Sequence, residues 1–252
     1  MKEKIKLRGS FTYEEYRSII KSLNNIKNTT FESALQADCY SIIRHDVEFS
    51  IDRAHVMGLI DAELGIKSTF FFQVSSSAYN PFSQKNKGKI KNLEKLGHKI
   101  GLHFYVSHIE PENQLALELE FQIQKSIFEM GLGINLDIFS FHRPPKWLLD
   151  IRDDYLFNAL NAYGPSFFEY TPNPVKIKYM SDSNHQWKNG HPFDDFMKSK
   201  MQLLIHPDEW SGQHYLNEKE FLLSLINENR ADFISTLDQE LKSFAPYRGL
   251  IS

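Results

Sequence analysis

The chain has 252 residues, 41% of them hydrophobic, and no Pro/Ser/Gly-rich or charge-blocked stretch divides it, so one domain over residues 1–252 with one large core is expected. With 29 Lys and Arg against 32 Asp and Glu, the formal net charge is −3 without long like-charge runs, which offers no electrostatic footprint for a nucleic-acid partner. No apolar run reaches the ~20 residues that cross a bilayer, the opening residues lack the apolar segment of a signal peptide, and the single Cys39 cannot form an internal disulfide, so a cytoplasmic protein with no transmembrane segment is expected.

Thr12 followed three residues later by Glu15 forms a capping box, and Tyr13, Tyr16, Ile19, Ile20 and Leu23 fall at helical spacing behind it. The stretch Ser41-Ile42-Ile43-Arg44-His45-Asp46-Val47-Glu48-Phe49-Ser50 reads as a buried strand that runs into four ionisable side chains, with Ser50 capping the next helix. That helix carries Val56, Met57, Ile60 and Leu64 and ends at Gly65. Ser68 to Val74 is a largely apolar strand suited to burial on both faces. A helix through Ile90, Leu93 and Leu96 stops at Gly97, and the short strand after it ends in His103.

Pro111 suits a first helical turn, and Leu115, Leu119, Ile123, Ile127 and Met130 mark a long helix closed by Gly131. Asp137 to Phe141 is a strand that runs into His142-Arg143-Pro144-Pro145, where two prolines forbid further pairing. A short helix is predicted around Tyr155, Leu156 and Leu160, with weaker strand signals near Phe167 and Phe168. Val175 to Met180 alternates and ends in Ser181-Asp182-Ser183; Met201 to Ile205 is the last strand and delivers His206-Pro207-Asp208-Glu209-Trp210. Helical residues 217–243, with Phe221, Leu222, Leu225, Ile226, Phe233, Leu237 and Leu241, close the chain.

Strand and helix alternate six or seven times, the pattern of an α/β protein with a parallel sheet. Five strands deliver Asp46/Glu48, His103, His142/Arg143, Asp182 and His206 at their carboxyl ends. In an open sheet those ends spread along a line, whereas in a barrel they converge on one mouth. The expected fold is therefore a distorted (β/α) barrel of about seven parallel strands. Carboxylates and histidines meeting at one mouth are the inventory of a metal hydrolase: a divalent ion takes such ligands and acidifies a water, a carboxylate accepts its proton, and a histidine protonates the leaving group. Any one of these histidines, taken alone, is more often a hydrogen-bonded core or surface residue.

The segments Arg44-His45-Asp46-Val47-Glu48-Phe49-Ser50, Gly97-His98-Lys99-Ile100-Gly101-Leu102-His103, Phe141-His142-Arg143-Pro144-Pro145 and Leu204-Ile205-His206-Pro207 resemble, in that order, the motifs of the polysaccharide deacetylases, the NodB-homology or carbohydrate esterase family four enzymes. Among these, the intracellular deacetylase-like proteins of bacterial O-antigen and other surface-polysaccharide gene clusters are the nearest in pattern. The resemblance spans roughly residues 40 to 210. It implies a distorted (β/α) barrel that removes N-acetyl groups from amino sugars, free or linked to a nucleotide or lipid, with a divalent metal, usually Zn2+. Carried over by position, Asp46 resembles the catalytic base, His206 the general acid, and Arg143 the residue that orients the base. Glu48, His103 and His108 are the implied metal ligands, and His45, His142, Pro144, Asp182, Trp187 and Trp210 the implied substrate-binding set. In an alternative register Asp46 is the ligand and His45 occupies the base position.

The chain departs from the pattern in three places. The second metal histidine of the family follows the first by four, yet position 107 is Ser107 and the nearest histidine is His108, five along, which on a helix turns away from the first. Glu48 stands where an aspartate is usual, and the Asp-x-x-Asp-Trp segment is replaced by Ser181-Asp182-Ser183-Asn184-His185-Gln186-Trp187. Two alternatives to a deacetylase follow from these departures and from the carboxylates: a catalytically degenerate barrel that binds a glycan, and a metal-free glycoside hydrolase using Asp46 and Asp182.

Overall fold

A computed structural model describes residues 8–23, 26–106, 109, 113–170, 176–194, 200–247 and 249. The chain forms two compact units, residues 1–214 and 215–252. The first opens with helix α1 (Tyr13–Ser22), whose cap Thr12 accepts a hydrogen bond from the Glu15 amide while the Glu15 carboxylate reaches back to the amides of Gly9 and Phe11. The expected capping box is thus present in a form shifted by one residue.

A short helix α2 (Phe31–Ala34) leads to strand β1 (Tyr40–Val47), then helix α3 (Ile51–Glu63) capped by Ser50, β2 (Thr69–Phe72), α4 (Gln84–Lys95) and β3 (Lys99–Tyr105). Next come α5 (Gln114–Leu132), β4 (Ile138–His142), a one-turn α6 (Lys146–Leu149), β5 (Tyr155–Leu156), β6 (Ala159–Asn161), β7 (Ile177–Ser181) and β8 (Lys200–Ile205). The strands form one sheet in the order β5-β6-β4-β3-β2-β1-β8-β7. Every pairing is parallel except β5 with β6, so seven strands share one direction. Gln202 on β8 donates its amide to the carbonyls of Ala162 (3.2 Å) and Phe167 (2.7 Å), just past β6 near the other end of that order. Such a contact requires the sheet to curl back on itself, and the fold is the distorted (β/α) barrel that the sequence predicts, left open between β5 and β7 among the described residues.

Side-chain alternation along the strands sorts the core into an inner and an outer layer. Tyr40, Ile42, Phe71, Ile138, Leu160, Ala162 and Phe167 fill the concave side with Phe31 and Ala34 of α2. Gly101 on β3 makes room for this plug: a Cβ there would stand 2.7 Å from the Phe71 ring and 2.9 Å from the Ile138 carbonyl oxygen. Outside, Phe70, Phe72, Leu102, Phe104, Phe139 and Phe141 pack under α3, α4 and α5, each fully buried aromatic contributing roughly 1.5–3 kcal/mol.

Three elements differ from expectation. On α5 the stripe Leu115, Leu119, Ile123, Ile127 and Met130 is exposed, 79% at Leu115, and the helix buries Leu117, Phe121, Gln124, Phe128 and Leu132 instead. Two apolar faces compete on this helix, and the one carrying two phenylalanines removes more area from water. The helix also runs past Gly131 to Gly133, whose φ of 66° makes the left-handed cap. The helix expected around Tyr155 is a hairpin: Phe157 and Asn158 both have positive φ (54° and 60°), the requirement of a two-residue type I′ turn, and β5 pairs antiparallel with β6. Phe167 lies in a turn region rather than a strand, its ring buried in the inner plug.

The second unit contains α7 (Glu218–Glu240), capped by Asn217, and a 3-10 stretch over Lys242–Tyr247. Phe221 and Leu225 are its buried helix residues, while Leu222, Ile226, Phe233 and Leu241 are exposed. No helix among the described residues is long and apolar enough to cross a membrane.

Candidate active site

Period-two alternation along β1 and just beyond it sends Arg44, Asp46 and Glu48 to the inner face and His45 and Val47 to the outer one. Arg44, fully buried, grips Asp46 with Nε to Oδ1 at 2.9 Å and Nη2 to Oδ2 at 2.7 Å, donates Nη1 to Gln202 Oε1 at 3.2 Å, and lies 4.5 Å from the centre of the Tyr163 ring. Burial pushes the Asp46 carboxyl up, but the guanidinium and His103 outweigh it and hold the group below the ordinary aspartate range.

One step closer to the carboxyl ends of the strands stand Glu48, His103 of β3 and His142 of β4. The Ser140 hydroxyl donates to Asp46 Oδ1 (3.3 Å) and sits 2.8 Å from His103 Nδ1, which therefore carries the proton and donates to it. His103 Nε2 faces the mouth, 3.5 Å from Glu48 Oε1 and 3.1 Å from His142 Nδ1; His142 Nδ1 is 3.0 Å from the same Glu48 oxygen. The three ligand atoms lie within 4.8 Å of one another. Burial opposes ionisation of Glu48, yet the two imidazoles hold its carboxyl well below its ordinary range.

One carboxylate and two imidazoles suit zinc or a similar divalent ion, and two ring nitrogens meeting at a carboxylate oxygen call for a cation or proton among them. The Ser140 contact is the outer-shell partner that a metal-binding histidine needs. The residues present therefore fit the expected metal.

His206 follows β8. Its Nδ1 is 2.7 Å from Asp182 Oδ1, and its amide donates to the same carboxylate, which also accepts the Trp210 indole N–H at 2.7 Å. Burial alone would lower the imidazole, but Asp182, Glu48 and Asp46 raise it to about 10. Asp208, in the 3-10 turn after His206, accepts the amides of Glu48 (2.9 Å) and Ser50 and so fixes the loop that carries Glu48. Burial, with help from the Glu48 charge and against the donated amides, raises the Asp208 carboxyl to about 7.

Of the residues marked in the sequence, Asp46, Glu48, His103, His142 and His206 come together. His142, expected among the substrate-binding residues, stands with Glu48 and His103 in the ligand cluster; His108 lies outside the described residues. His45 is wholly enclosed in the outer layer, stacked on Phe70 at 4.2 Å and bonded with Tyr16 to Asp61, because its strand parity is opposite to that of Asp46. Trp210 has no exposed surface and Asp182 none, so both act behind His206 and not on a substrate face. Trp187 packs beside Phe11 and Trp210, and Pro144 is half-buried ahead of α6. Arg143 is exposed and makes no ion pair with any described residue, the guanidinium that orients Asp46 being that of Arg44. Arg44, Ser140 and Asp208 were not among the predicted site residues, although each of the first two lies two positions before a marked residue on the same strand face.

A groove of about 820 Å³ opens beside the cluster, lined by Glu48, His142, Arg143, Tyr105, Gln124 and the serines at 75–77.

No family model and no curated protein matches the chain. Solved structures of the family that its motifs resemble are similar to it. A CE4 family pseudoenzyme from Bacillus anthracis shares 12% identity over 78% of this chain and 62% of its own, with a TM-score of 0.46. The chitin deacetylase of Colletotrichum lindemuthianum shares 13% over 77% of this chain and 85% of its own (TM-score 0.41), and IcaB from Ammonifex degensii 11% over 84% and 87% (TM-score 0.41). The chain thus spans less than two thirds of the length of the Bacillus protein.

Proposed function

We propose that the protein is a metal-dependent hydrolase that removes the N-acetyl group of an amino sugar, acting in bacterial surface-polysaccharide (O-antigen) biosynthesis. The observation that carries this reading is the cluster of Glu48, His103 and His142, with Asp46 3.8 Å from His103 and His206 paired with Asp182 at the end of β8. Glu48, His103 and His142 would hold a divalent ion, Zn2+ being the expected one, which when bound would supply Lewis acidity to the acetyl carbonyl and to water.

The chain's own residues supply the rest. Asp46, held ionised and in one orientation by Arg44, keeps a lone pair on Oδ2 with which to take a proton from the attacking water. His206 carries its proton at neutral pH because Asp182 holds it there, and it gives that proton to the departing amine nitrogen. Ser140 anchors the His103 ring through Nδ1, so that Nε2 is presented toward the mouth. Substrate lies along the groove beside His142, where Tyr105 offers a ring face already aligned with the imidazole at 5.5 Å and 25°.

The test is metal content and acetate release from a panel of N-acetyl sugars, for the native protein and His103→Ala. One metal per chain and acetate release that falls at least about a thousandfold in the variant are expected. Acetate release unchanged in His103→Ala removes the proposal, and metal binding with no acetate from any sugar points instead to a glycan-binding barrel.

A further inference from the structure

Arg143 has a place in the groove that the reaction outlined above does not use. It follows His142 directly and lines the same groove, but the task its motif position suggested is performed by Arg44, which already satisfies both oxygens of Asp46. The Arg143 backbone is held at a φ of 48°, in the left-handed region that a non-glycine residue adopts only under constraint, and Pro144 keeps the segment from relaxing into a helix. Strain of this kind is retained where the surroundings impose a side-chain direction. The guanidinium so presented is exposed and pairs with no described residue.

The other charges lining the groove are committed. Glu48 faces His103 and His142, and Glu120 accepts the Gln124 amide at 2.7 Å. Gln73, Ser75, Ser76 and Ser77 share the remaining wall with Phe49, Ala78 and Tyr105. The exposed guanidinium of Arg143, a planar five-donor fork without a described partner in this groove, is built to take two oxygens of one anionic group.

The geometry points to Arg143 as the specificity residue that binds a carboxylate or phosphate carried by the acetamido sugar, so that acidic rather than neutral N-acetylated sugars are the substrates. This assignment rests on the deacetylase reading of the neighbouring cluster.

Calorimetric titration of the metal-loaded native protein, Arg143→Gln and Arg143→Lys tests it, with three probes: N-acetylglucosamine, its 1-phosphate, and an N-acetylated hexosaminuronic acid. The native protein is expected to bind at least one acidic probe tenfold or more tightly than the neutral sugar. Arg143→Gln should erase that preference and Arg143→Lys keep part of it, and the tighter acidic probe identifies the anion. Equal affinity for all three probes, or a preference that survives in Arg143→Gln, overturns the assignment. Acetate measured in the same samples keeps the two readings apart: an acidic preference without acetate removes the deacetylase and leaves Arg143 an anion-binding residue, while acetate without preference removes the role of Arg143 alone.

Discussion

Arg44 and Asp46 face one another two positions apart on β1, their bidentate pair closed at 2.9 and 2.7 Å where neither side chain is more than 2% exposed. A pair this deep is costly to break from one side, because the survivor is a buried charge without a partner. Arg44→Met is expected to destabilise the protein by about 3–5 kcal/mol, read from denaturant melts. The double variant Arg44→Met with Asp46→Leu should recover most of that loss and yet have no activity. A native-like melt for Arg44→Met alone would show that the pair does not hold the inner layer together.

The same pair sets an acid limit. The folded Asp46 carboxyl is depressed below its unfolded value of 3.8, so its stabilisation is complete above that value and fades as pH falls through the folded one. Conditions that weaken the guanidinium should move the acidic limb of the rate profile to higher pH. Arg44→Lys, which keeps the charge but loses the fork, is the variant to profile, and an unmoved limb would count against Asp46 as the base.

Ser140 acts on metal binding without touching a metal. With Ser140→Ala the proton on His103 is free to move to Nε2, and zinc affinity should fall about 10–100-fold, the usual effect of losing an outer-shell partner. Competition against a chromophoric chelator measures this directly, and undiminished affinity would show that the hydroxyl does not select the tautomer.

His206 governs the alkaline side. Its folded pKa, about 10, lies above the ordinary 6.5, so its contribution to stability is full below 6.5 and disappears as pH rises through about 10. Asp182→Asn should bring the imidazole titration, followed by NMR, down toward or below its ordinary value, and the alkaline limb of activity with it. An imidazole still protonated at pH 9 in that variant would mean that Asp182 is not what holds the proton.

The two faces of α5 give a structural test. Phe128→Ala should cost about 3–5 kcal/mol as a cavity in the outer layer, while Leu119→Gln on the exposed stripe should change stability by no more than about 0.5 kcal/mol. Reversed magnitudes would turn the helix over.

Much of the fold was legible because α/β alternation, strand composition and caps such as Thr12 and Ser50 all act locally. The gathering of Asp46, Glu48, His103, His142 and His206 was legible because parallel strands in a curled sheet point their ends one way. What stayed hidden depends on contacts between distant segments. Which apolar face α5 buries is decided by the sheet beneath it, and the bond from Trp210 to Asp182 joins residues 28 positions apart. The burial of His45, by contrast, was available from strand parity, which places it opposite Asp46 whatever the rest of the chain does.

Because Arg44, Asp46 and Glu48 share a single side of one backbone ribbon, the centre has no tolerance for a change of length there. Inserting or deleting one residue between Tyr40 and Arg44 would turn all three outward together and bring His45 and Val47 in, exchanging a charged triplet for an imidazole and an isopropyl group in one genetic event.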